Sequence, residues 1–454
     1  MPNKLRIVIF CFAAFFYLAA GTYKASHFSH DFIPLYSSSR CLIHDCDPYD
    51  ATALSQQYIA GHGIRKLLTD TLWAEHPSVY PPSTFIVISP FALLPFRVAA
   101  ILWALLSGSA LIAAMVLVLS LASGSASPGG LWAATLLTVL MLLSGGYDVL
   151  AGGNPATISC AFAVIGSVFF LIGRWVPAGA LLLTLSLAVK PQIAGLVILY
   201  LLVRGVRRNW AALSLGGGAV ALLLGVLILQ MHPGSQHWLA TLRANLAEAT
   251  LPGHSNDPSP LNTRQGMINL QTLTSIFLTS PRAYNAAALG LIAVLFVCWI
   301  VSLRKMEGHS PKHFFALPPL LILSLFPVYH RAYDDLLLVV SIPMIVALIQ
   351  THRFFGGVLT FVTALPFLPM LASPASPKQI ALIEGSRTLT GAFSSKAGFI
   401  LSMRPGTVEL LVLFCLQLGA MWALADYSGT WEPRLALELW PTATALRGPT
   451  DIVA

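Results

Sequence analysis

Apolar runs of about 20 residues recur from one end of this chain to the other. Wound as a helix at about 1.5 Å per residue, such a run matches a bilayer hydrocarbon core about 30 Å thick. Charged residues make up only 10% of the chain and hydrophobic ones 56%. A soluble domain carries about 25% charge. The alternating ten-residue segments of an outer-membrane barrel are absent. The pattern therefore predicts an all-α, polytopic membrane protein with about twelve transmembrane helices. The apolar segments are 5–22, 80–96, 97–122, 131–150, 156–172, 178–203, 211–230, 284–303, 313–328, 335–350, 354–372 and 406–425.

Basic residues orient these segments. Lys4 and Arg6 precede the first, Arg97 separates the second and third, and Arg204, Arg207 and Arg208 follow the sixth. Arg304 and Lys305 follow the eighth. The positive-inside rule puts these residues, and both termini, in the cytoplasm. The first segment has the look of a signal peptide, but no small-x-small cleavage pattern follows, so an uncleaved helix is expected. The expected organisation is one transmembrane domain over 1–425, with outer loops at 23–82, 231–283 and 373–405 and a cytoplasmic tail at 426–454.

The net charge is +8, with basic residues scattered between apolar runs rather than clustered. That excludes a nucleic-acid face and favours membrane lipid or a lipid phosphate as partner. The two longer loops each contain an amphipathic or surface helix. One is expected from Pro48 to about Gly61, with Asp47 as N-cap and Pro48 at the first helical position. In the other, Trp238, Leu239, Leu242, Leu246 and Ala249 recur at spacings of three and four, the pattern of a helix lying on the membrane or closing over a site.

The stretch HFSHDFIPLYSSSRCLIHDCDPYD (27–50) holds the first candidates. Asp31 lies just past the first apolar segment, where a carboxylate is costly unless it meets water or a partner. It is either the base for an attacking hydroxyl or a helix-end cap. Cys41 and Cys46 suit a local disulfide in an oxidising compartment, free thiols, or, with His44, a metal site that matches no zinc spacing. The other four cysteines fall inside apolar segments as packing residues.

Further along, Tyr147, Asp148 and Asn154 interrupt apolar sequence; an amide such as Asn154 can hydrogen-bond across helices or contact substrate. Lys190 precedes Pro191 inside a span, where the proline frees backbone carbonyls for the ammonium unless Lys190 binds a lipid phosphate or snorkels to the interface. VYHRAYDD (328–335) is the densest polar cluster at a helix end. There His330 and Arg331 are candidate phosphate contacts, Tyr333 a candidate substrate contact, and Asp334 or Asp335 a partner for Arg331.

Taken in order, HDFIPLY, DPYD, YPPSTFIVISPFALLPFR, GGNP, AGALLLTLSLAVKPQ, NLQTLTSIFL and YHRAYDDLLL resemble glycosyltransferase family 87, of the GT-C superfamily, over roughly residues 5–350. The resemblance implies a GT-C-like fold and an inverting transfer of a sugar, mannose foremost, from a polyprenyl-phosphate donor to a glycan or glycolipid acceptor. The reaction would face the periplasm or exterior of the cell membrane. It also implies Asp31 as general base; the candidates around phosphate or sugar are Lys190, Arg331, His330, Asn154 and Tyr333. No cofactor is called for, though a divalent cation stays open. Where the family often has Gly-Gln before Asn-Pro, this chain has Gly152-Gly153-Asn154-Pro155. Two other classes compete: a multi-span secondary transporter, for which Lys190-Pro191 is the friendliest feature, and a non-catalytic lipid-glycan assembly protein.

Overall fold

The computed structural model describes residues 2–68, 78–123, 127–254, 256–260, 267–307, 312–328, 330–368 and 404–425. The expected outer loop 373–405 falls outside these residues except at its last two positions, and the expected tail 426–454 does so entirely. The described residues are helical throughout, with no strand beyond one antiparallel bridge between Met267 and Arg331.

The chain opens with α1 (Pro2–Phe28), α2 (Phe32–Ile43) and α3 (Ala51–Ala60), then α4 (Pro82–Ala92) and α5 (Phe96–Ser123). α6 (Pro128–Met141) passes through a π-turn at 142–146 into α7 (Tyr147–Gly152). α8 (Ala156–Ile172), α9 (Val176–Val189), α10 (Pro191–Val203) and α11 (Arg208–Met231) follow. α12 (Trp238–Ala249) lies before α13 (Pro281–Lys305) and α14 (Lys312–Leu325). A 3₁₀ stretch (Ala332–Ser341) then runs into α15 (Ile342–Thr351), followed by α16 (Arg353–Ala364) and α17 (Pro405–Ala425).

Seven described helices are long and apolar enough to cross a membrane, and six further apolar helices have 10–17 residues. Among the described residues, length and composition alone mark seven crossings, which does not reach the expected twelve. Lys190-Pro191 is one reason, because it divides the expected sixth span into α9 and α10. A proline has no N–H to donate and its ring clashes with the preceding turn. On α11 and α13 large apolar side chains such as Leu213, Leu223, Val294 and Val297 are more than half exposed. Water would penalise such faces; lipid does not.

The stretch expected as a plain loop after α1 is instead helical and buried. α1 runs on to Phe28, and α2 begins four residues later. Phe32, Ile33, Leu35 and Tyr36 pack with Ile88, Phe96 and Trp103, and the Phe32 and Trp103 rings stack at 5.6 Å. The serines that make this stretch look polar turn inward: Ser38 donates to the Pro48 carbonyl at 2.7 Å and Ser39 to that of Leu35 at 2.8 Å.

The helix expected from Pro48 starts three residues later. Asp50, not Asp47, is its N-cap, accepting from the Ala53 N–H at 2.8 Å. Asp47 instead accepts from the Tyr49 N–H at 2.9 Å, the local turn that short acidic side chains favour. The amphipathic helix expected around 238–249 is present as α12. In the interior, α8 packs against α5 and α9, and the buried 3₁₀ stretch lies against α8 and α14. This brings the end of α9, the start of α8 and residues 330–335 together.

Candidate active site

Asp31 stands between α1 and α2. Its N–H donates to the Gly152 carbonyl at 3.0 Å, which ties it to the turn after α7. Asn154 Nδ2 donates to Asp31 Oδ2 at 2.9 Å, and His30 Nε2 lies 3.6 Å from Oδ1. The Asp31 side chain is 20% exposed, so it is open to water on one side. Its carboxylate makes no capping bond to α2. The helix-cap alternative is therefore not what holds it.

The facing wall is the GGNP turn. A side chain at Gly152 would start 3.3 Å from the Asp31 carboxylate. Gly153 has φ +71°, and a Cβ there would lie 2.7 Å from that of Phe32. Its carbonyl accepts from Trp103 Nε1 at 3.0 Å. Position 153 is where the family often has glutamine; here the backbone takes a left-handed turn that glycine adopts without strain. Asn154 is itself fixed, its Oδ1 accepting from the Ala156 N–H at 2.9 Å.

Lys190 lies in the break between α9 and α10. One reading of the sequence has the carbonyls orphaned there accept from its ammonium, beside a lipid phosphate or snorkelling. They accept instead from the YPPST segment: Ser83 donates to the Ala188 carbonyl at 2.8 Å and Thr84 to that of Val189 at 3.0 Å. This frees the ammonium to turn to Asp334, where Nζ donates to Oδ1 at 2.6 Å. The other Asp334 oxygen meets His330 Nδ1 at 2.7 Å. Asp334 thus pairs with Lys190 and His330 rather than the guanidinium of Arg331, whose backbone N–H is 3.4 Å away. Lys190 is 6% exposed, and Asp334, His330 and Asp335 are fully buried. Neither oxygen of Asp335 has a hydrogen-bond partner among the described residues.

Tyr333 links the two groups. Lys190 Nζ lies 4.9 Å from the centre of its ring. The phenol lies close enough to Asn154, Asp31 and Arg331 to interact with them electrostatically. Asp31 and Asn154 form one hydrogen-bonded group and Lys190, Asp334 and His330 another, with the Tyr333 ring close to both. On the Lys190 side a cavity of about 490 Å³ opens, lined by Lys190, Tyr333, Tyr80, Trp238, Leu242 and Leu246 among others.

α12 forms part of that cavity's wall, and the DPYD segment fastens it. Thr241 donates to Asp47 Oδ2 at 2.8 Å, and Asn245 Nδ2 to the carbonyls of Tyr49 and Ser78 at 2.9 and 3.0 Å. Trp238 stacks on Tyr49 with 6.1 Å between centroids. Burial pushes the Asp47 carboxyl above its ordinary range, offset in part by these hydrogen bonds.

Cys41 and Cys46 are disulfide-bonded at the end of α2, with Cα atoms 4.6 Å apart, so their sulfurs do not form a metal site with His44. Among the described residues, no three His, Cys, Asp or Glu side chains converge as metal ligands. Ser83 and Thr84 were not singled out in the sequence. The signal was available: two hydroxyls directly after a double proline, in a chain with an internal helix break to satisfy.

The model of glycosyltransferase family 87 matches residues 79–317, which include Ser83, Asn154, Lys190 and α12. Asp31 and the 330–335 cluster lie outside the match. No curated protein and no solved structure matches the chain. The matched residues make up just over half of the 454, and the chain belongs to glycosyltransferase family 87.

Proposed function

We propose that this membrane glycosyltransferase moves a sugar, mannose foremost, from a polyprenyl-phosphate donor to a hydroxyl on a glycan or glycolipid acceptor. The single domain over 1–425 turns its Asp31 end away from the cytoplasm. The observation that carries the reading is the placing of the Asp31 carboxylate, held by Asn154, near the Tyr333 ring, which lies 4.9 Å from Lys190 at the cavity. A base for the acceptor and a cation for a phosphate both lie near the Tyr333 ring.

In this mechanism the donor's headgroup enters the cavity beside α12, with its tail against apolar side chains such as Leu242 and Leu246. Lys190, already oriented by Asp334, stabilises the charge that collects on the departing phosphate, and Arg331 adds to the field. Asp31 takes the proton of the acceptor hydroxyl as that oxygen attacks the anomeric carbon from the face opposite the phosphate. The glycosidic bond forms, the carbon–oxygen bond to phosphate breaks with inversion, and polyprenyl phosphate leaves. A phosphate leaves as a stable anion, so one carboxylate suffices, unlike the pair usual in glycoside hydrolysis. His330 and Asn154 act as positioning residues, because both are buried and already engaged.

The broken helix at Lys190 is the feature a transporter would share. Membranes containing the protein, incubated with radiolabelled polyprenyl-phosphate mannose and acceptor lipids, separate the readings. Labelled glycolipid that disappears with Asp31→Asn supports transfer. Uptake of label without a new bond would establish transport, and unchanged product from the variant would remove Asp31 from the reaction.

A further inference from the structure

A second cavity, of about 360 Å³, lies between α10 and α13 and shares no lining residue with the first. α10 begins beside Lys190 and carries Arg204 about 20 Å further along its axis, at about 1.5 Å per residue. The walls are Leu199, Val203, Phe296 and Ile300. Val203 is 75% exposed and Leu199 52%, so the groove opens sideways onto the lipid-facing surface. The polar atoms of two of its aromatic lining residues, Tyr200 and Trp299, are already engaged. Tyr200 already shares a hydrogen bond with His313 at 2.6 Å, and Trp299 donates to the Ala316 carbonyl at 3.0 Å.

Arg204 and Arg304 stand at one end of this apolar groove. Arg204 is paired with Glu307 at 3.1 Å, and that carboxylate is half exposed. Arg304 is exposed and has no ion pair among the described residues. Two guanidinium groups over a narrow hydrocarbon-lined slot match one ligand chemistry: a phosphate diester with an acyl chain. The positive-inside rule assigns both arginines to the cytoplasmic leaflet, where anionic lipids concentrate.

We propose that this groove is a binding site for one anionic membrane phospholipid, its phosphate between Arg204 and Arg304 and one acyl chain along Val203 and Ile300. The ligand is a bilayer component, distinct from the donor, and the inference does not depend on the reaction at Asp31. The lipid braces the end of α10 opposite Lys190.

The test uses the full-length protein purified in mild detergent, titrated with phosphatidylglycerol or phosphatidylcholine and followed by native mass spectrometry. One phosphatidylglycerol is expected to bind in preference to phosphatidylcholine. Arg304→Gln should weaken it about fivefold while leaving phosphatidylcholine unchanged. Arg353→Gln, at another exposed arginine, should leave both unchanged. Phosphatidylglycerol carrying a photoreactive acyl chain should label peptides around Val203 and Ile300. Equal affinity for the two lipids, equal loss in both variants, or labelling confined to other peptides would overturn the proposal.

Discussion

Asn154 donates a hydrogen bond to Asp31 at 2.9 Å across 123 positions of sequence. This contact joins the start of α2 to the turn between α7 and α8. His30 Nε2 lies 3.6 Å from the second carboxylate oxygen, and the side chain is 20% exposed. A carboxylate held this way keeps a fixed direction, which the proposed role of Asp31 as base requires.

Asp31→Asn is therefore expected to cut transfer by at least about 100-fold, the usual contribution of a general base. The amide retains an oxygen for Asn154 to donate to, so membrane level and thermal stability should stay close to wild type. Radiolabel transfer alongside a melting curve checks both halves.

Asn154→Ala removes the donor but not the base. Turnover should fall about 10- to 100-fold, with the donor's KM little altered, because misplacing a reacting group by about 1 Å costs on this scale. A large rise in donor KM with unchanged kcat would instead make Asn154 a direct substrate contact.

Lys190 and Asp334 are joined at 2.6 Å in a nearly dry environment. Removing one partner of a buried pair costs about 3–5 kcal/mol, since the other charge is stranded. Lys190→Met and Asp334→Asn should each lower Tm sharply. The double variant should recover much of the loss in Tm and none of the transfer activity. Recovery of activity together with Tm would reduce Lys190 to a structural role.

Gly153→Gln places the family's frequent residue into this chain. A non-glycine residue in the left-handed region costs about 1–2 kcal/mol, and here its Cβ would also crowd that of Phe32 at 2.7 Å. The variant should be less stable than wild type and lose activity through the displaced Asp31. Thermal unfolding and single-turnover transfer on the same preparation provide the check.

Much of the chain was legible before folding. Apolar runs marked most helices within a few residues, because hydropathy over a bilayer's thickness is a property of a short window. α12 was readable from its spacing, and Asp31 and Lys190 stood out because charges beside hydrocarbon are costly. The serine-rich α2 was missed, since small hydroxyls satisfied by nearby carbonyls read as loop until the fold buries them. Asp50 displaced Asp47 as the cap of α3 because Asp47 is engaged by Tyr49 and by Thr241, 194 positions away.

The sequence by itself determined that this is a helical membrane protein, where its helices lie, and which ionisable residues stand out against hydrocarbon. Only the tertiary structure decided their partners. Lys190 meets Asp334 across 144 positions, and Ser83 and Thr84 satisfy carbonyls more than 100 positions away. Local composition sets the cost of leaving a charge or a carbonyl unpaired, but the packing of distant helices selects the group that relieves it.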